Sequence, residues 1–170
     1  ACIAAKMVKR PVRVQLTRRQ MFTMVGYRPM AWQKIAVGAS KDGKLTGITH
    51  HAISNTSRYE DYREGIVNAS HYLYDCPNVN TTYKILALDV NTPTWMRGPG
   101  EATGAFALEC ILDELAYKLN MDPVELRIKN YAEVHPQNKL PWSSKFLREC
   151  YDKGREMIGW SHRSSVPGSL

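Results

Sequence analysis

The sequence predicts an α+β fold, a mixed β-sheet covered by helices, and three observations carry that prediction. The strand-like segments fall mainly in the first half of the chain and the helical ones in the second, an order that disfavours a doubly wound sheet. Asp42-Gly43 sits between two β-rich runs, a strong hairpin signal. The longest helical pattern, residues 101–119, follows a Pro/Gly-rich loop and repeats its apolar residues at helical steps.

Taken in order, residues 1–7 read as the closing turns of a helix, stopped by Lys9-Arg10-Pro11. That segment has no N-cap and no initiator Met, which suggests that it was cut from a longer polypeptide. Val12, Val14 and Leu16 alternate with polar residues, so residues 12–16 are expected to form a half-buried strand. Thr17 and Gln20 fit a capping box that opens a short helix through Met24, ended by Gly26 with Pro29 just beyond. Residues 33–39 and 45–54 are the two hairpin strands. Residues 58–69 are polar and read as loop with a helical turn. Asp75-Cys76-Pro77-Asn78 is a turn, and residues 79–90 form another strand.

In the long helix Ala105, Leu108, Leu112, Leu115 and Leu119 share one face. Asp122-Pro123-Val124-Glu125 starts the next helix with an N-cap, a proline at its first position and an acidic third residue, and it runs to about Asn130. Residues 135–142 are loop. A last helix spans about 144–157 with Phe146, Leu147, Cys150 and Tyr151 on its apolar side. Residues 161–170, rich in Ser, Pro and Gly, read as a linker or disordered tail.

Composition narrows the class. Hydrophobic residues make up 44% of 170, enough for a globular core, and no apolar run approaches a membrane span. The net charge of +7 invites a nucleic-acid reading, but the basic residues are spread along the chain and favour a solvated surface. None of Cys2, Cys76, Cys110 and Cys150 forms a C-x-x-C pair, so no zinc or iron–sulfur site and no metal ligand set is expected here. Cys110 and Cys150 read as small core residues, and the four tryptophans as core filling. His50 and His51 are adjacent on a strand and point to opposite faces, so they do not share a metal. Glu109 and Asp113, four apart, read as a solvated helix face, and no nucleophile–base arrangement is present.

The most informative segment is Met96-Arg97-Gly98-Pro99-Gly100-Glu101-Ala102-Thr103-Gly104. Two glycines permit positive φ or close approach, a helix N-terminus offers unpaired N–H groups, and Arg97 adds a cation. Together these features could hold an anion. Read from the residues alone, the same glycines also suit a tight strand-to-helix turn, with Glu101 already answering the helix dipole.

That segment, followed by Ala107-Leu108-Glu109 and Asp113-Glu114-Leu115-Ala116, resembles the large subunit of the xanthine dehydrogenase/aldehyde oxidase family. The stretch from Asn120-Met121-Asp122-Pro123 to Asn130 continues the resemblance. So do Arg10-Pro11-Val12, Leu16-Thr17-Arg18, Gln20-Met21-Phe22 and Tyr74-Asp75-Cys76-Pro77-Asn78-Val79. It covers about residues 1–160, in order, and implies that they are part of a two-layer molybdenum cofactor-binding domain of a larger subunit.

The resemblance also implies a chemistry. Such subunits bind molybdopterin, here expected in its cytosine dinucleotide form, and hydroxylate an aldehyde or N-heterocycle with oxygen from water and a glutamate as general base. Electrons leave through [2Fe–2S] clusters and FAD on partner subunits or domains. Carried over residue by residue, Arg97 and Gly98 approach the molybdenum centre largely through their backbone, and Pro99 and Gly100 shape the substrate pocket. Pro99 stands where xanthine-specific members carry an aromatic ring, which favours aldehydes over purines. The family's catalytic glutamate segment would lie beyond Leu170, so no catalytic residue is assigned in this chain, and the isolated chain is expected to be inactive. The expected partners are the rest of the large subunit, iron–sulfur and FAD subunits, and a small aldehyde or heterocycle. The competing function is a non-catalytic module that keeps the scaffold and binds an anion or another subunit.

Overall fold

The computed structural model describes residues 1–164, 166 and 168. Its centre is a three-stranded mixed sheet in the order β1-β2-β3, formed by Ala31–Ala39, Leu45–Ser57 and Val79–Leu88. The hairpin is where Asp42-Gly43 placed it. β1 and β2 pair antiparallel, and Gly43 takes a φ of 90° in the turn. β3 then pairs parallel to β2, from Ile48 opposite Val79 to Ser57 opposite Leu88. A parallel partner requires the chain to cross back, and residues 58–78 make that crossover.

The helices at residues 69–72, 101–118 and 123–129 cover one face. α1 is Cys2–Val8, α2 Arg18–Met24, α3 Ala69–Tyr72, α4 Glu101–Lys118, α5 Pro123–Lys129 and α6 Leu147–Met157. In α4, Gly104, Leu108, Leu112 and Ala116 are buried at four-residue steps, and this row packs with Leu45 and Ile48 of β2 and Leu126 of α5. Each of its leucines gains about 1.5–3 kcal/mol from leaving water. The other face of the sheet, at Trp32, Lys34, Ala36, Thr49 and Thr82, is exposed.

The caps behave as the sequence predicted. Thr17 and Gln20 form a complete capping box on α2, and Asp122 accepts from the N–H groups of Val124 and Glu125 at the start of α5. The buried Asn130 carboxamide accepts from Leu45 N–H at 2.8 Å and donates to Gly43 O at 2.8 Å, tying the end of α5 to the hairpin.

Several expectations are corrected. Residues 12–16 form no strand, and Arg13, Val14 and Gln15 are exposed. Alternation supplies two faces but no partner for a ladder, and residues 12–16 pair with neither edge strand, β1 nor β3. Cys110 and Cys150 are exposed, whereas Cys76 is buried in the core, where burial pushes its thiol pKa up. Trp32 and Trp95 are exposed too, as is Phe146. Glu109 and Asp113 are not simply solvated, because both bind Arg127 of α5. Beyond α6, Trp160–His162 forms one 3-10 turn, and Trp160 donates its indole N–H to Asp122 at 2.7 Å. Positions 165, 167, 169 and 170 of the expected tail lie outside the described residues.

Candidate functional site

The loop between β3 and α4 is shaped by two glycines in left-handed backbone: Gly98 at φ 68° and Gly100 at φ 85°. Gly100 is buried, and a Cβ there would stand 2.6 Å from the backbone of Gly65. One turn on, a Cβ on Gly104 would stand 1.7 Å from the carbonyl oxygen of Ile66. The first turn of α4 therefore lies directly on the crossover backbone, and only glycine permits that approach.

Beneath the loop lies a charged cluster. The Arg28 guanidinium donates through Nη2 to the Arg97 carbonyl at 2.5 Å and through Nη1 to the Gly98 carbonyl at 3.3 Å. Nη1 also reaches Glu64 Oε1 at 3.0 Å, and the Glu64 side chain is wholly buried. The other Glu64 oxygen accepts from Thr103 Oγ1 at 3.0 Å. Both carboxylate oxygens are thus answered, as a buried charge demands.

A second branch reaches the same turn from the sheet. Gln33 Nε2 donates to the Thr103 carbonyl at 3.1 Å, and its Oε1 lies 2.9 Å from His50 Nε2. Because Oε1 can only accept, His50 must carry its proton on Nε2, leaving Nδ1 to accept from Ser70 Oγ at 2.8 Å. Burial, with lesser contributions from His51 and His71, holds the His50 pKa below its ordinary value, so the ring is neutral near pH 7. His51 faces the opposite side and meets Thr82, as their adjacency on a strand predicted.

The outward side of the loop follows from peptide geometry. In a trans peptide the N–H points opposite to the preceding carbonyl. With the Arg97 carbonyl turned to Arg28, the Gly98 N–H is turned away from that cluster. Pro99 carries no N–H. Arg97, Met96 and Trp95 are exposed beside it, with Trp95 set edge-on to Tyr62 at 5.3 Å, and Phe106 is exposed on α4. Of the four residues singled out in the sequence, Arg97 presents its side chain outward, Gly98 and Pro99 are half-buried, and Gly100 is packed into the crossover.

Sequence reasoning missed Arg28, Glu64 and Thr103. Arg28 stands between Gly26 and Pro29, in a stretch read as a helix stop, and Glu64 lies in a polar stretch read as loop. No period or spacing links either to residues 97–103. The burial of His50 was within reach, since Ile48, His50 and Ala52 alternate on the buried face of β2. Among the described residues no group of three or more His, Cys, Asp or Glu gathers to hold a metal, and no helix is long and apolar enough to cross a membrane.

Residues 1–131 match the family model of the molybdopterin cofactor-binding domain. Over 171 residues the chain is 38% identical to the aldehyde oxidoreductase molybdenum-binding subunit PaoC of Escherichia coli (strain K12), an alignment that covers 100% of this chain and 23% of that subunit. It is 32% identical over 172 residues to the xanthine dehydrogenase molybdenum-binding subunit of Escherichia coli O157:H7, covering 96% of this chain and 23% of that subunit. Among solved structures, the aldehyde oxidoreductase from Desulfovibrio gigas superposes with a TM-score of 0.75 at 25% identity, over 96% of this chain and 19% of that one. The chain therefore spans roughly a quarter of the length of these curated relatives, 23% in both cases.

Proposed function

The chain belongs to the family of the molybdopterin cofactor-binding domain, and from that premise we propose that it forms part of the large subunit of a molybdenum hydroxylase. That enzyme oxidises an aldehyde, or an N-heterocycle, with oxygen drawn from water. The observation that carries the proposal is the loop at residues 97–100, whose carbonyls are turned inward to Arg28 and whose Gly98 N–H and Arg97 side chain are turned out.

The residues present fit an anionic, oxygen-rich group. Gly98 at φ 68° leaves its outer side open, because an added Cβ would meet only Ala102 at 3.5 Å. An outward backbone N–H, a cation and the positive end of an 18-residue helix lie within a few residues of one another. Arg97 and Gly98 would hold the molybdopterin group, which the proposal takes to be the cytosine dinucleotide form. When bound, that group supplies the two-electron redox chemistry, and [2Fe–2S] and FAD partners carry the electrons away.

The chain's own part is to bind and orient. Arg97 offers charge at the rim, the Gly98 N–H offers a fixed donor, and the Pro99 ring and the Gly100 backbone shape the wall of the substrate pocket. Pro99 adds no aromatic face on which a purine could stack, so an aldehyde is the favoured substrate. The general base belongs to another segment of the subunit.

The test is molybdenum per chain, by elemental analysis, in the gene product purified from its own host together with its partners. Near-stoichiometric metal is expected, with turnover of an aldehyde exceeding that of xanthine. Arg97→Ala is expected to lower turnover about 10–100-fold. A folded product free of molybdenum would overturn the reading and favour a scaffold that binds an anion or another subunit without catalysis.

A further inference from the structure

We propose that Arg28 is a positioning residue: through the carbonyls of Arg97 and Gly98 it sets the orientation of the loop, and the buried Glu64 holds Arg28 in place for that task. The functional meaning rests on the reading that this loop faces the molybdenum cofactor. The positioning itself rests on geometry alone.

Consider the donors of Arg28. Guanidinium is planar and presents its N–H groups in a rigid fork, so contacts made by Nη1 and Nη2 are fixed relative to one another. One fork here spans two consecutive peptide carbonyls, Arg97 at 2.5 Å and Gly98 at 3.3 Å. Orienting both carbonyls orients both peptide planes, and with them the Gly98 N–H that faces out. Gly98 is the residue whose freedom most needs such restraint, because its φ of 68° is one of many that glycine can adopt.

Glu64 explains why Arg28 stays. Its side chain has no solvent exposure, while that of Arg28 retains 30%. If the guanidinium swung out to water, the carboxylate would be left buried with only Thr103 Oγ1 as a partner, an outcome of high cost. Thr103 lies in the first turn of α4, so the same cluster also ties the loop to the helix. The Ala102 N–H completes the arrangement by donating to the Gly98 carbonyl at 3.0 Å, the oxygen that Arg28 also binds. Lysine would keep the charge and lose the fork, since an ammonium is a single point of attachment.

A residue that only stabilised the fold would not separate these effects. The experiment compares wild type, Arg28→Lys and Thr103→Val in the full gene product with its partners. It reads hydrogen exchange across residues 96–103, molybdenum content, and kcat and KM for an aldehyde. For Arg28→Lys, the Ala102 amide is expected to exchange about ten-fold faster or more, since bonds from a charged donor are lost, with the sheet and the rest of α4 unchanged. Molybdenum content is expected to persist and kcat to fall about 10–100-fold with KM little changed. Thr103→Val, which leaves the Arg28–Glu64 pair in place, should shift the same amide less and serves if Arg28→Lys does not fold.

Wild-type exchange at residues 96–103 in Arg28→Lys would overturn the proposal, as would loosening spread evenly over the chain. Localised loosening without loss of kcat would overturn the functional part. A protein that never carries molybdenum would defeat the wider functional reading, yet the exchange result would still decide the positioning.

Discussion

The first turn and the middle of α4 are each tied down by an arginine and a glutamate, and they use the pair differently. Toward the middle of the helix Arg127 of α5 donates to Glu109 Oε2 at 2.7 Å, Asp113 at 2.8 Å and the Glu109 carbonyl at 3.1 Å. Tyr74 adds its hydroxyl to Glu109 Oε1 at 2.7 Å. Every one of these contacts joins elements of the core. Burial and the adjacent Glu109 charge push the Tyr74 pKa far up, so its hydroxyl stays a donor. At the first turn, Arg28 also meets a carboxylate, but two of its contacts end on the carbonyls of Arg97 and Gly98, in the loop that leads into the helix. An arginine whose donors end on carboxylates and helix carbonyls fastens elements together. One whose donors end on loop carbonyls determines where a loop points.

The sharpest way to break this comparison is to part α4 from the crossover. A Cβ at Gly104 would lie 1.7 Å from Ile66 O, and no rotamer moves a Cβ. Gly104→Ala is expected to lose more than about 4 kcal/mol of stability in denaturant unfolding, or to give no soluble protein. A midpoint equal to wild type would sink the close-approach reading.

A second variant isolates the middle of the helix. Arg127→Met leaves Glu109 and Asp113 without their cation, though both retain solvent contact. A loss of about 2–3 kcal/mol is expected, with exchange at Ala102 and turnover per molybdenum unchanged. If the Ala102 amide loosened as much as in Arg28→Lys, the two places would not be independent.

The smallest effect is on pH dependence. The His50 pKa in the folded chain lies below its ordinary 6.5, with burial as the main cause. The unfolded chain therefore binds that proton more readily, and stability rises with pH across the interval between the two values. Above 6.5 the penalty is absent; as pH falls below 6.5 stability declines, and it levels off once the folded ring itself protonates. Melting temperature followed from pH 8 to pH 5 should show this decline, and His50→Gln should flatten it. A decline of unchanged size in the variant would assign it to other groups.

Much of this molecule was legible in the amino-acid order because the relevant forces are local. Thr17 with Gln20 and Asp122 with Pro123 wrote their own caps, since a side-chain oxygen reaches an N–H two or three residues away. Asp42-Gly43 wrote the hairpin, and the row Leu108, Leu112 with its neighbours wrote the buried face of α4. The tight loop at residues 97–100 was also legible, because glycine is the residue that takes the positive φ of Gly98 and Gly100 without strain.

Other features needed the tertiary structure. Residues 12–16 alternate like a strand and are none, because a strand is a pair and the partner is not written in the strand itself. The exposed Cys110 and Cys150 reverse the sequence reading, since a single small residue gives no periodic signal of its side. Above all, Arg28, Glu64 and the pair Gly98 and Thr103 are brought together from three separate segments of the chain. Arg28 and Glu64 lie in short stretches with no period to read, and nothing in the period of α4 links Thr103 to either of them. Sequence alone determined the hairpin, the caps and the buried face of α4, through interactions spanning a few residues. Which charge lies under the loop was decided only when the sheet, the crossover and α4 packed, because an ion pair depends on distance in space and not along the chain.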